Sequence, residues 1–478
     1  MAGQDDTDLL DRTPTPPDDS DSGGDPRDDQ DIYEQTDFLR SVVDATEREA
    51  AEEAASLVGD LHNADLADLL ELLPGETRRS LTGLISDSLD PTVLVELDGP
   101  VLIDVATALP PRSVAAAIQS LDSDDAIHVM ENLPDDTQRA VLRALARKDR
   151  IAVEEGLAYP EESAGRLMQR KLIAVPEFWS IGQTIDQLRA MDEDDLPQDF
   201  YELIVVDPTY RPVGTVPLSR VLSCKRPVRI RDVMEDTPRL VHVATDQEEV
   251  ARQFAKYHLI SVGVVNDYGR LVGVITADDV VDVIEEEAQE DILALAGVSQ
   301  GDVNIPLMEV TRSRFVWLFV NLGTAILASL VIGLFEASLQ QMVALAVLMP
   351  IVASMGGNAG TQTMTVAVRA LATHELSSAN AMRIIGKELT VSLINGVLLA
   401  LVVGIAAILW FGDPLLGVVL GLSMIANLFF AGLSGILIPM TLNRLGIDPA
   451  VASTVFVTTI TDVVGFFAFL GLAGLILL

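Results

Sequence analysis

The sequence predicts a multi-domain α plus α/β membrane protein: a helical superhelix on the N-terminal side, two small α/β repeats in the middle, and a five-helix transmembrane domain at the C-terminal end. Three observations predict it. The chain has 478 residues, with 71 acidic against 32 basic side chains and a net charge of −39, yet its mean hydropathy is +0.33. A single aqueous domain does not combine so much charge with so much apolar surface. The two properties are instead segregated along the chain. From Phe315 onward the formal charges thin to Glu336, Arg369, Glu375, Arg383, Lys387, Glu388, Asp413, Arg444, Asp448 and Asp462. Finally, two different internal repeats occupy the charged portion.

Five apolar segments follow Phe315, at about 315–334, 342–368, 389–411, 415–442 and 450–478. Each reaches the roughly 20 residues that a helix needs to cross the hydrocarbon core. The connections after the second and fourth segments carry Arg369, Arg383, Lys387 and Arg444, whereas those after the first and third carry only Glu336 and Asp413. The positive-inside rule then puts the N-terminal domains in the cytoplasm and the C-terminus outside a cell membrane. The first thirty residues have neither a basic start nor an apolar run, so no secretory signal is expected there. Residues 1–36 are rich in Asp, Pro, Ser and Gly and are expected to form a disordered acidic tail.

An acidic surface excludes nucleic acid as a partner and disfavours anionic headgroups, because both would be repelled. It is compatible with a cation ligand, and equally with a salt-rich cytoplasm, since lysine occurs only at positions 148, 171, 225, 256 and 387. Cys224 is the single cysteine, which rules out an intrachain disulfide and a cysteine-based metal centre.

Within the five segments the one ionisable side chain is Asp462, in the run STVFVTTITDVVG, and no Lys, Arg or His lies in a segment to pair with it. A carboxylate at mid-membrane costs about 2.5–3.5 kcal/mol, so it should face a cavity, a cation or a protein partner. The alternative is a protonated Asp bonded to a neighbouring Thr or carbonyl. The second segment carries Pro350 and then MGGNAGTQT, with Asn358 and Gln362 on one helical face. A helix broken there would expose carbonyls to a hydrated path; Gly356 and Gly360 at four-residue spacing would also serve helix packing, but the shared face of Asn358 and Gln362 favours the lined path. Oxygen ligands from Asp, Asn, Thr and backbone suit a hard cation such as Mg²⁺.

Ahead of the membrane, DLADLLELLPGETRR (65–79) and DAIHVMENLPDDTQR (125–139) are two copies of a helix, Leu-Pro turn and helix. Such repetition implies a stacked superhelix, assigned to 37–155. His62 and His128 are expected to be structural there. A second repeat spans 167–222 and 233–284, each copy an extended stretch, a helix and two strands, with Asp207 and Gly214 matched by Asn266 and Gly273. That pattern resembles a tandem of CBS domains, assigned to 160–284. The resemblance makes Thr276 and Asp279 of GVITADD the candidate ribose contacts for a nucleotide such as ATP, although the same residues would also cap the following helix. The first copy has Pro217 and Arg220 there. The helix from Asp279 to Leu295 opens a connecting segment assigned to 279–312, and carries Asp282, Glu286 and Glu290 on one face, where like charges invite a cation.

The ordered set of Leu-Pro repeats, paired CBS units, acidic helix, Pro350 with Gly356–Gln362, and Asn427, Asp448, Pro449 and Asp462 resembles the MgtE family of magnesium channels. The resemblance implies a homodimer in the lipid bilayer with Asp462 as the pore carboxylate for hydrated Mg²⁺ and Asn358 beside the path, the membrane domain covering 313–478. It also implies that cytosolic Mg²⁺ closes the channel through Glu248, Asp279, Asp282, Glu287, Glu290 and Asp291. Two positions depart from the family's pattern: His258 stands where an acidic residue is expected, and Thr454 where a polar amide is. Transport of Co²⁺ or Mn²⁺, and a membrane-tethered nucleotide sensor, are the competing readings. An enzyme is not expected, because no nucleophile with base, phosphate loop or His-based metal motif is present.

Overall fold

Leu-Pro steps set the helix boundaries of the N-terminal domain. A residue before proline is pushed out of the helical region, so the leucine becomes extended and ends its helix while proline opens the next. Leu73, Leu109 and Leu133 have ψ of 142°, 148° and 140°, and all three side chains are buried. The structure, a computed structural model, describes residues 26–192, 196–197, 200–296, 298, 307–373, 375–376 and 380–477. The helices in this part are α1 (Pro26–Glu47), α2 (Ala51–Val58), α3 (Asn63–Leu72), α4 (Gly75–Ile85), α5 (Gly99–Ala108), α6 (Pro111–Ser120), α7 (Ser123–Asn132), α8 (Asp135–Ala144) and α9 (Arg147–Leu157). They stack over one continuous apolar core.

Two findings go beyond the sequence expectation. A third helix pair, α5 and α6, lies between the two recognised copies, and α1 begins at Pro26, inside the stretch assigned to the tail. Proline suits a first helical position. Residues 1–25 of the expected tail lie outside the described residues. The repeats share an internal clasp. Buried Arg78 donates from Nε to the Leu70 carbonyl (2.8 Å) and from a terminal nitrogen to the Leu73 carbonyl (3.0 Å), and pairs with Asp104 at 3.2 Å. Gln138, its counterpart, donates to the Met130 carbonyl at 2.9 Å. His62 caps α3, its Nδ1 accepting from the Ala64 N–H.

The second repeat comprises α10 (Ala164–Leu167), β1 (Ala174–Pro176), α11 (Ile181–Ala190), β2 (Glu202–Val206), β3 (Pro212–Pro217) and α12 (Leu218–Ser223), then β4 (Leu240–His242), α13 (Gln247–Tyr257), β5 (Ser261–Val265), β6 (Leu271–Thr276) and α14 (Ala277–Ala296). Each half forms a three-stranded sheet, β1-β2-β3 and β4-β5-β6, whose first pair is parallel and second antiparallel. Both hairpins slip register at matching places, Val205/Val206 and Val264/Val265. Asp207 Oδ1 and Asn266 Oδ1 accept equivalent turn hydrogen bonds, from Arg211 and Arg270 N–H among others. The left-handed turn position is Tyr210 in one hairpin (φ 64°) and Gly269 in the other (φ 70°). Ile204, Val206 and Leu271 close the apolar layer between the halves.

The chain divides into two units, Met1–Glu285 and Glu286–Leu478, the boundary falling inside α14. The second unit holds the rest of α14 and α15 (Leu307–Gly333), α16 (Glu336–Gln341), α17 (Val343–Ala372), α18 (Ala381–Phe411), α19 (Pro414–Arg444) and α20 (Pro449–Ile476). Five stretches are long and apolar enough to cross a membrane: Val310–Gly333, Val343–Ala372, Ala381–Phe411, Pro414–Arg444 and Thr454–Ile476. The central helix is α19, packed against α17, α18 and α20. In hydrocarbon there is no hydrophobic drive between helices, so close approach of small residues supplies the packing. Ser392, Gly396, Ala400 and Gly404, four apart and all buried, form that seam on α18. A Cβ on Gly417 would lie 2.7 Å from the Gly404 carbonyl oxygen, and one on Gly421 would lie 3.3 Å from that of Ala400.

The break expected in the second span does not occur: α17 runs unbroken through Pro350. Its glycines serve packing instead. Gly356 and Gly465 press on the fully buried Asn427, whose Nδ2 donates to the Val352 carbonyl at 2.8 Å and whose Oδ1 has no partner. Asn427 therefore marks where α17, α19 and α20 cross. Adding a methyl group at this crossing forces the helices apart, so Gly356→Ala and Gly465→Ala should each destabilise the bundle by roughly 1–3 kcal/mol. Combining either with Asn427→Ala should recover much of the loss, as read from unfolding of the full chain in detergent.

Candidate functional site

Asp462 sits midway along α20, half-buried, and makes no hydrogen bond or ion pair with a described residue. Its threonine neighbours are occupied. Thr458 donates to the Thr454 carbonyl (2.9 Å), Thr459 to that of Val455 (2.6 Å) and Thr461 to that of Thr458 (2.9 Å). Among the described residues neither a hydroxyl nor a carbonyl is bonded to the Asp462 carboxyl. Asn358 and Gln362 do share a face of α17, and within the single chain that face is exposed.

Asp279 and Asp282 lie with two carboxylates that were not singled out from the sequence as site residues, Asp124 and Asp125. Asp124 on α7 is 6% exposed, and neither of its side-chain oxygens has a hydrogen-bond partner. Burial, then the charges of Asp279 and Asp125, hold its carboxyl well above the ordinary range. Asp125 is pushed up to about 7 by burial and by Asp279, Asp122, Glu96 and Asp278. Asp279 is likewise raised, chiefly by burial and then by Asp278, against the lowering effect of Thr276. Asp282, at the exposed rim, is raised by partial desolvation, Asp278 and Glu285 and lowered by His128. A signal for Asp124 did exist: its counterpart in the first repeat is Ala64, so an apolar position has become acidic. What sequence alone could not reveal is that α7 meets the start of α14.

Thr276 and Asp279 cap α14. Asp279 Oδ2 accepts from the Thr276 hydroxyl at 2.7 Å and from its N–H at 3.3 Å, which is the capping role weighed above. Thr276 also lines an open cleft with Gln169, Lys171, Phe200, Tyr201, Glu202 and Ser261. The cleft contains one cation, two aromatic rings, hydroxyls and a carboxylate. Burial raises Glu202, which accepts from Ser261 at 2.9 Å.

Among the described residues no group of three or more His, Cys, Asp or Glu is arranged to hold a metal ion. Glu248 is exposed in the first turn of α13, and His258 ends that helix in a left-handed conformation (φ 53°). Glu287, Glu290 and Asp291 belong to the second unit. Asp291 is raised by burial and by Asp448. Beside it, Ala294 and Leu295 pack on Met364, Val368, Ala450 and Val457, and Thr454 donates to the Leu295 carbonyl at 3.0 Å. The departure at Thr454 thus gives the end of α14 a hydroxyl cap from α20.

Raised folded-state values fix the sign of a pH dependence. For Asp125 the contribution to stability is fully present below the unfolded value of 3.8 and is lost as pH rises through about 7. Without divalent ions, protection of the α7–α14 contact from proteolysis should fall between about pH 5 and about pH 8. Added Mg²⁺ should restore it at the higher pH and change little at the lower, and Asp125→Asn should flatten both responses.

A multi-pass membrane protein with a helical-repeat domain and a CBS unit ahead of its spans is the class these features define. Residues 349–472 match the family model MgtE, divalent cation transporter; residues 61–162 match the MgtE intracellular N domain, and 230–286 a CBS domain. The chain is 35% identical to the magnesium transporter MgtE of Thermus thermophilus over 369 residues, 76% of this chain and 79% of that one. It is 31% identical to the magnesium transporter MgtE of Enterococcus faecalis (68% and 71% covered) and 28% identical to that of Bacillus subtilis (87% and 92%). Among solved structures, the cytosolic domain of the Mg²⁺ channel MgtE in complex with ATP aligns with TM-score 0.47 and 29% identity, over 51% of this chain and 99% of that one. The soluble part of a magnesium transporter aligns with TM-score 0.44 and 22% identity (53% and 98%). The chain belongs to the MgtE family.

Proposed function

We propose that this chain carries Mg²⁺ across the cell membrane as a homodimer, with the domains assigned above in the cytoplasm and the C-terminus outside. The observation that carries the reading is Asp462: a carboxylate in mid-span whose hydroxyl neighbours are bonded elsewhere and which makes no ion pair with a described residue. Mg²⁺ gives up its water reluctantly, so one carboxylate from each of two chains, with polar groups such as Asn358 and Gln362 nearby, suffices to attract and guide a hydrated ion. Relatives named as magnesium transporters supply the identity of the ion. We assign the chain no catalytic activity.

Control is by the same ion. To the extent that Asp124, Asp125 and Asp279 are ionised they repel one another at low Mg²⁺, and cations drawn to them relieve that repulsion and favour the closed arrangement of α7 on α14. We assign the same response to Asp282 and Glu248 in the first unit and to Glu287, Glu290 and Asp291 in the second. The cleft holding Lys171, Phe200, Tyr201 and Thr276 suits an adenine nucleotide, with a ring stacked on the aromatics and phosphate at the lysine.

In proteoliposomes containing a Mg²⁺ indicator, Asp462→Asn should reduce uptake to that of empty vesicles, while Asp462→Glu keeps a part of it. Uptake by Asp462→Asn equal to the unaltered protein would remove the pore assignment, and a preference for Co²⁺ over Mg²⁺ would change the cargo. For the cleft, Lys171→Ala should weaken ATP binding by roughly tenfold in a calorimetric titration.

A further inference from the structure

We propose that Arg383 and Lys387, at the start of α18, form a binding site for the headgroup of an anionic phospholipid. The two lie one turn apart on the same helical face, and both are exposed. Neither side chain forms a hydrogen bond or ion pair with a described residue. Acidic side chains outnumber basic ones 71 to 32 in the chain, and several arginines of the first unit take carboxylate partners, such as Arg78 with Asp104, Arg166 with Glu131, Arg170 with Glu155 and Arg226 with Asp186; this pair is left open to an external anion. Glu388, next along α18, does not pair with either cation.

What lies beyond the pair on that face identifies the occupant. Thr390, Ile394, Leu398, Leu401 and Ile405 continue the same stripe, and the four aliphatic side chains are 54–60% exposed. The buried seam of Ser392, Gly396, Ala400 and Gly404 is on another side of the helix, so the stripe faces away from α19. Nothing lies within 4 Å of a Cβ built on Gly386, between the two cations. An open apolar stripe that ends in two unpaired cations matches a phospholipid lying along the helix, its acyl chains on the aliphatic residues and its phosphate at Arg383 and Lys387. The acidic excess ahead of Phe315 argues against a general attraction to anionic membranes, which makes this contact local.

The test uses the full chain, reconstituted in phosphatidylcholine vesicles with and without phosphatidylglycerol, extracted into detergent, and weighed by native mass spectrometry. The unaltered protein should retain phosphatidylglycerol in preference to phosphatidylcholine. Arg383→Gln with Lys387→Gln should lower that preference by roughly thirtyfold, and the charge-keeping pair Arg383→Lys with Lys387→Arg should preserve it. Should the Gln pair fail to insert, a salt titration of the unaltered protein decides: preference lost with rising salt supports the site, and a salt-independent preference overturns it. Equal retention of the two lipids, or an undiminished preference in the Gln pair, also overturns it. So does a changed proportion of dimer with an unchanged lipid ratio, which would make the stripe a contact between copies of the chain.

Discussion

A carboxylate held out of water has to recover the hydration it has lost, from a hydrogen-bond donor, a cation or a proton. Most carboxylates in this chain need nothing of the kind because they lie in solvent. Asp462 and Asp124 differ: each is shielded, and each lacks a donor or counter-charge among the described residues. A mobile cation can resolve both, and because it comes and goes, its concentration can be linked to structure. The two sites therefore obey the same electrostatics in different solvents, one in a membrane span and one where α7 meets α14.

The membrane bundle depends on a further constraint, the need to bring helices together without a hydrophobic drive. Glycine, serine and alanine do this along α18, and Asn427 does it at the crossing of α17, α19 and α20. The buried Asn427 amide is satisfied on its nitrogen side only. A polar group at such a crossing fixes which faces meet, since a rotated helix would leave both amide atoms unpaired.

Much of this was legible in the sequence because it depends on local pattern. The five spans follow from apolar length, and the paired α/β units from a repeated order of strand, helix and hairpin that extends to the turn residues Asp207 and Asn266. Two Leu-Pro hinges were readable because a glutamate, a threonine and an arginine recur around them. The third, Leu109–Pro110, lacks those companions and was visible only in three dimensions. Asp462 stood out by its solvent, but the contact of Asp124 and Asp125 with Asp279 joins distant parts of the chain and no local pattern announces it. Pro350 and its glycines misled for a related reason: the residues that can break a helix are also those that let helices touch, and the partner surface decides between the two.

The tight link between α18 and α19 bears on how the bundle is made. Gly412, in a left-handed conformation at φ 74°, and Asp413, which caps α19 through the Leu415 N–H, are the only residues between the two helices. With so short a connection, neither helix can enter the bilayer far ahead of the other. Because the small-residue seam lies along both, they can zip together as they enter. α18 then covers one side of α19 as the pair enters, and Asn427 meets the Val352 carbonyl of α17, which precedes both helices in the chain.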